Sequence, residues 1–172
     1  HNSDMDCIGE CFGTAYEDDC ATCDSDPLND CLDLEFNLNP GANLISFYAL
    51  PEDISVHSIF LGLGDNAKYI IADGSGAFNQ AGNWYGSLEQ IEADKGYWLI
   101  VEESAELIID QAIPTSTGEN TVFYDLHYGN NLISYPFSAG QNIDHAIDGV
   151  YLNNIFAIAG GGEAAQFFNG SW

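Results

Sequence analysis

The chain has no arginine and only two lysines, Lys68 and Lys95, against 27 aspartates and glutamates, giving a formal net charge of −25 over 172 residues. A nucleic-acid reader needs Lys and Arg to displace counterions from phosphates, and an anionic membrane surface makes the same demand. Neither partner fits this chain. No run approaches the 18 or more apolar residues of a spanning helix, so membrane insertion is not expected either. An initiator methionine is also missing, and His1 reads as a cleaved or cut end with any signal peptide already removed. Catalytic signatures are lacking: no serine sits in a Gly-x-Ser-x-Gly elbow and no histidine in a His-Glu-x-x-His helix. His57, His127, His145, Ser46, Ser134 and the pair Glu102 and Glu103 therefore read as solvated or backbone-satisfying groups, and no enzyme is expected.

What is present is enough for a core. At 46% hydrophobic and 13% aromatic, the chain should fold rather than behave as an acidic disordered tail. Its self-repulsion is tolerable where divalent cations neutralise part of it, or where salt shortens the screening length below the roughly 8 Å of physiological medium. Both conditions point outside the cell, to a secreted or cell-surface location.

All five cysteines, Cys7, Cys11, Cys20, Cys23 and Cys31, fall within the first 31 residues, and residues 1–33 also carry ten acids and few aliphatic side chains. Such a segment cannot fold on a hydrophobic core. Disulfides can staple it, and a hard cation can gather its oxygens, since Ca²⁺ takes 6 to 8 of them at roughly 2.3–2.6 Å. The candidate metal ligands are Asp4, Asp6, Asp18, Asp19, Asp24, Asp26, Asn29 and Asp30. Cys20-x-x-Cys23 also has zinc-ligand spacing, but no second such pair or His pair follows, and the surrounding acids suit a harder ion. Disulfides with merely solvated acids are a third reading. Two internal bridges leave one cysteine over, either free or paired with another chain or with residues before His1.

Asp6-Cys7-Ile8-Gly9-Glu10-Cys11-Phe12-Gly13-Thr14-Ala15, then Asp18-Asp19-Cys20-Ala21-Thr22-Cys23 and Asp30-Cys31, resemble one unit of the Asp- and Cys-rich repeats of secreted proteins that are similar to thrombospondin type 3 calcium-binding repeats. The resemblance implies calcium as the cofactor. The segment departs from a strict calcium loop in lacking the central Gly after the acids and a bidentate Glu at the end, so individual ligands are not assigned.

Beyond residue 33 the chain repeats itself. Gly41-Ala42-Asn43-Leu44-Ile45-Ser46-Phe47-Tyr48 returns 88 positions later (41 to 129) as Gly129-Asn130-Asn131-Leu132-Ile133-Ser134-Tyr135-Pro136. Phe36-Asn37-Leu38 matches Tyr124-Asp125-Leu126 at the same offset, and Gly74, Ala77, Gly82 and Trp84 match Gly162, Ala165, Gly170 and Trp172. The organisation expected is a Cys/Asp-rich segment at 1–32, a first β-module at 33–110, a linker at 111–120 and an incomplete second module at 121–172. The fold class is mainly β: two tandem sandwich-like modules with short helices.

Within the first copy, alternation and turn residues predict strands over 34–38, 43–49 and 68–72, and an Asp53-capped helix over 54–61. A Ser87-x-x-Gln90 capping box predicts a second helix ending at Gly96, followed by a hairpin-like pair at 97–101 and 106–109. The second copy should have strands at 121–126 and 131–137, a short helix opened by Asn142, and a strand over 155–159. It has no counterpart of Tyr85 to Asp110. The vacant place is expected to be filled by another chain or by residues beyond Trp172.

The Asn-Leu-Ile-Ser strands, the Trp84-x-Gly86-Ser87-Leu88 turn and the Gly96-Tyr97-Trp98-Leu99 strand resemble β-rich modules found in tandem in large secreted and cell-surface bacterial proteins. Trp84, Tyr85, Tyr97 and Trp98 are candidates for a sugar-stacking platform, although core packing is the favoured reading. Asn169-Gly170-Ser171 fits the glycosylation sequon. The function expected is a structural or adhesive surface protein, a filament or surface-assembly subunit with self-assembly or other protein chains as partners. The alternative is a polysaccharide-binding accessory module of a secreted enzyme.

Overall fold

The computed structural model describes residues 5–17, 23–25, 31–115 and 121–172. They form a mainly β protein with several antiparallel sheets and a few short helices. The chain divides into two compact units, His1–Pro136 and Phe137–Trp172. The candidate residues Asp4, Asp18, Asp19, Cys20, Asp26, Asn29 and Asp30 lie outside the described residues.

In the first unit, β1 (Tyr16–Glu17) pairs with β2 (Cys23–Asp24). Then come β3 (Leu32–Leu38), β4 (Gly41–Ser46), β5 (Ala49–Leu50), helix α1 (Val56–Ile59), a 3-10 run (Leu61–Asn66), β6 (Ala67–Ala72), β7 (Ser75–Gln80), β8 (Asn83–Gly86), β9 (Gly96–Val101) and β10 (Ala105–Pro114). One sheet has the order β3-β10-β5 and the other β4-β9-β6-β7-β8. The strands form where alternation allows one face to be buried. Leu34 and Leu38 of β3 and Tyr97, Leu99 and Val101 of β9 point inward, and burying each such side chain contributes roughly 1.5–3 kcal/mol. Both sheets share one core, which also takes Leu107 and Ile109 of β10, Ile70 of β6 and the wholly buried Phe47. Phe47 stacks against Phe36 at 5.4 Å and Tyr97 at 6.0 Å.

β9 and β10 are not the hairpin that their closeness in sequence suggests. Each is the strand on which its own sheet is assembled: β9 lies between β4 and β6, and β10 between β3 and β5. The link between them is therefore an arch from one sheet to the other. Asn66 holds it, its Oδ1 accepting from the N–H groups of Glu102 (3.1 Å) and Glu103 (2.8 Å) and its Nδ2 donating to the Glu103 carbonyl (3.0 Å). β10 also runs on to Pro114, through the first residues expected to be linker.

Helix α1 is shorter than its predicted span. Ser55 is its cap, with Oγ accepting from Ser58 N–H at 3.2 Å, while Asp53 instead accepts from Ser55 N–H at 3.0 Å. The chain leaves the α-helix at Phe60, with φ −103° and ψ 12°. The second helix, expected over 87–96, does not form. Glu89 and Ile91 bond instead to the strand-like entry of α1, through Val56 N–H to Glu89 O (3.0 Å) and Ile91 N–H to Ile54 O (2.8 Å). Burial of Leu88 and Ile91 outweighs a capping box worth about 1 kcal/mol.

Residues 121–136 are also unlike expectation: apart from an isolated bridge between Lys95 and Ile133, no strand is formed there. The pairing comes from Gly96 N–H to Leu132 O (3.0 Å) and Ser134 N–H to Asp94 O (3.3 Å). It needs a glycine at 96, because a Cβ there would lie 2.7 Å from the Ile133 carbonyl oxygen. The turn before it matches the turn before β4. The Asn43 side chain accepts from Asn39 N–H and donates to the carbonyls of Asn39 and Gly41, and Asn131 does the same with His127 and Gly129. Gly41 and Gly129 adopt φ of 96° and 112°, which L side chains rarely tolerate.

The second unit contains helix α2 (Ile143–Ala146), a 3-10 turn (Leu152–Asn154), β11 (Ala157–Ala159) and β12 (Ala164–Gln166). Asn142 caps α2 by accepting from Asp144 N–H at 2.9 Å, as expected. β11 and β12 pair Ala157 with Gln166 and Ile158 with Ala165, and 88 residues earlier β6 and β7 pair Tyr69 with Phe78 and Ile70 with Ala77. No helix among the described residues is long and apolar enough to cross a membrane.

Candidate functional site

Three groups of residues bear on function: the acidic N-terminal loop, the polar side chains that resemble catalytic groups, and an aromatic face. In the loop, Cys7 and Cys23 form a disulfide with Cα atoms 5.8 Å apart across a sequence separation of 16. Closing a loop of that length stabilises by about 3 kcal/mol in the chain-entropy model. Cys31 is disulfide-bonded too, and among the described residues Cys11 is free and exposed. Asp6 organises the loop, its two carboxylate oxygens accepting from Glu10 N–H (2.8 Å) and Ala15 N–H (3.3 Å). A Cβ at Gly13 would run into the Asp6 carboxylate, so any larger residue there would have to displace that side chain. Asp24 pairs with Tyr16 between β2 and β1. Among the described residues, no three His, Cys, Asp or Glu side chains converge to hold a metal.

Of the candidate catalytic groups, the side chains of His127, Ser134 and Glu102 are engaged in structural contacts. His57 and His145 lie exposed on α1 and α2. His127 binds Asp73 Oδ2 through Nε2 at 2.8 Å and the Tyr128 carbonyl through Nδ1 at 3.0 Å. The carbonyl contact first and the carboxylate second hold its pKa above the ordinary histidine value. Ser134 is buried, with Oγ 3.3 Å from Tyr124 Oη, and Tyr124 also donates to the Ser134 carbonyl. Ser46 lies in β4. Glu102 pairs with Lys68 at 2.8 Å. Tyr97 Oη accepts from Glu92 N–H (2.7 Å) and donates to the Glu92 carbonyl (3.2 Å), and burial pushes its phenol up to about 12. No described side-chain hydrogen bond joins either serine hydroxyl to a histidine or a carboxylate.

The aromatic candidates separate by face. Tyr97 is wholly buried in the core and the half-buried Trp84 packs against it, on Phe60 at 5.7 Å, while Tyr85 and Trp98 stand on the outer face of the five-stranded sheet. There the registers align one row across all five strands, Ala42, Ile100, Tyr69, Phe78 and Tyr85, beside a second row of Leu44, Trp98 and Ile71. Tyr69 and Tyr85 are 53% and 50% exposed, and the rings of Phe78 and Tyr85 are 5.6 Å apart. Tyr69 and Phe78 were missed in the sequence. The available signal was the unbroken apolar run Tyr69-Ile70-Ile71, which puts apolar side chains on both faces of an antiparallel sheet. At the matching positions of the second unit stand Ala157, Ala159 and Gln166.

No protein-family model, no curated protein and no solved structure matches the chain.

Proposed function

We propose that the chain belongs to an extracellular structural or adhesive protein of the cell surface, built from two copies of one β-rich module behind an N-terminal segment stiffened by calcium and disulfides. The observation that supports it most is the Cys7–Cys23 disulfide set among ten acids, because such bonds persist in oxidising compartments and crowded carboxylates favour a hard cation. Calcium would draw its oxygens from the eight candidate ligands of residues 4–30. The polar groups on the β core serve its backbone and turns, which suits a protein that bears load or presents a surface and performs no chemistry. The test is limited proteolysis of the full chain with and without chelator. Cleavage within residues 1–33 should quicken by roughly tenfold on chelation and be restored by Ca²⁺ rather than Zn²⁺. Unchanged cleavage contradicts the calcium reading.

The outer aromatic row supports a second reading, an accessory module for polysaccharide. Flat rings bury large area at low entropy cost, and a net charge of −25 suits a neutral glycan better than an acidic one. These rings are specific to the first copy, so the shared hairpin register does not require them. Tyr85→Ala and Phe78→Ala should each abolish retention on a neutral polysaccharide gel if this reading holds. Absence of retention by the parent chain removes it.

A further inference from the structure

The two rows on the outer face of the five-stranded sheet contain no acid and no base, in a chain that carries 27 acids. The fold does not require the rings that stand there. The hairpin of β11 and β12 keeps the register of β6 and β7 with Ala157 and Gln166 in place of Tyr69 and Phe78. The polar atoms of this face are also unengaged. Tyr97 in the core and the half-buried Tyr124 both hydrogen-bond through their hydroxyls. The hydroxyls of Tyr69 and Tyr85, the Trp98 indole N–H and the Gln80 amide have no hydrogen-bond partner among the described residues. Gln80 lies opposite Asn83 at the ends of β7 and β8, two positions from Phe78 and Tyr85 and so on the same face. Its neighbour Asn79, on the other face, donates to the Gly64 carbonyl at 2.8 Å.

Size and charge narrow the occupant to one class. Two rows across five strands cover roughly 300 Å², under half of the ~800 Å² a side of a standard protein interface. Contiguous apolar patches of that size mark binding sites rather than ordinary surface. A second copy would bring its own charge of −25, and an acidic glycan is repelled for the same reason. Flat rings edged by free hydroxyls and amides match a ligand with apolar faces and a polyhydroxylated rim, which describes a neutral chain of pyranose rings. Rings on neighbouring strands recur every ~4.8 Å, close to the length of one pyranose unit. The rings of Phe78 and Tyr85 are 5.6 Å apart. A straight row of this repeat suits an extended chain linked through equatorial bonds, whose axial C–H groups leave both ring faces apolar. A helical glucan cannot follow it.

We propose that the outer face of the five-stranded sheet binds the interior of an uncharged, β-1,4-linked glycan chain, which lies across the strands along Tyr69, Phe78 and Tyr85. Successive sugar rings stack on these three side chains. Gln80 and Asn83 on one flank and the Trp98 indole N–H on the other hydrogen-bond its hydroxyls. The inference rests on the polysaccharide reading and adds to it the class of glycan, its direction on the sheet and the length that is recognised.

The test titrates the full chain with cello-oligosaccharides from cellobiose to cellohexaose, followed by calorimetry and by amide and indole NMR shifts. Affinity should rise on the order of 10-fold from cellobiose to cellotetraose and then level off. Shifts should gather on β6, β7, β8 and the Trp98 indole and spare the Trp172 indole. Gln80→Ala, at a solvent-facing position, should weaken cellotetraose binding by about 2- to 10-fold. In gels at low salt, hydroxyethyl cellulose should retard the chain and the anionic carboxymethyl cellulose should not. The proposal is overturned by binding without length dependence, by shifts outside these strands, by equal retardation in the anionic polymer, or by a sedimenting dimer that covers Tyr69 and Phe78. Retardation by the α-linked glucan pullulan alone also overturns it, while leaving the polysaccharide reading in place. Retardation by neither neutral polymer removes both.

Discussion

Leu38, Ile45 and Phe47 are 4%, 7% and 0% exposed, whereas Leu126, Ile133 and Tyr135, each 88 positions on, are 50%, 44% and 39% exposed. The side chains are nearly alike, and the turn before each set is pinned by the same asparagine hydrogen bonds. The difference lies in what covers them. In residues 32–114 β9 and β10 each sit between two other strands, so these two segments gather several amphipathic strands into two sheets over one core. Residues 121–172 hold no counterpart of those segments, and residues 121–136 remain outside any sheet. Local sequence therefore builds the turns, caps and hairpins of both stretches. Burial depends on the late strands.

The comparison is sharpened most by the matched pair Ile70 and Ile158. Ile70→Ala should lower stability by about 2–5 kcal/mol, because it leaves a cavity between β7 and β9, while Ile158→Ala should cost under about 1 kcal/mol. Urea unfolding of the two variants measures this, and equal losses would break the contrast. A smaller effect is expected at the borrowed pairing. Gly96→Ala places a methyl against the Ile133 backbone and should cost about 1–2 kcal/mol. Its signature is faster exchange at the amides of Gly96 and Ser134, with β6 and β7 unaltered.

The smallest effect is that of pH on His127. Its folded pKa is raised above the ordinary value of about 6.5, so its contribution is fully present below that value and is lost as pH rises through the folded pKa. Both His127 and Asp73 are substantially exposed, so the change in global stability should be slight. Ring-proton titration by NMR should show His127 titrating above the ordinary histidine value. Asp73→Asn should bring it only part of the way down, because the larger influence is the Tyr128 carbonyl.

These particulars mark how far the sequence can be read. The strands β3, β4 and β6 and the Asn142 cap were legible, since alternation, turn glycines and capping are local. The partners of β9 and β10 were not: alternation tells which face is buried but not which strand lies alongside, so two consecutive strands resembled a hairpin when they belong to different sheets. The helix read over 87–96 failed for a related reason, because distant burial of Leu88 and Ile91 overrode a local signal. At the candidate sites, the cysteine cluster announced cross-links, whereas the pairing of Cys7 with Cys23 and the freedom of Cys11 required the folded chain. Core packing was read for Trp84, Tyr85, Tyr97 and Trp98 alike; it holds for Tyr97 and in part for Trp84, whereas Tyr85 and Trp98 stand exposed on the outer face. The outer row of Tyr69 and Phe78 became visible only once the registers across five strands were known.

Whether burial depends on β9 and β10 is tested most directly by hydrogen exchange on the dilute, unmodified chain. Amides of β6, β9 and β10 should exchange only through global unfolding, whereas those of residues 121–136 and 155–166 should exchange by local opening, faster by on the order of 100-fold or more. Equal protection of the two stretches, in a chain that sediments as a monomer, would contradict this, because residues 121–166 would then be buried without strands like β9 and β10.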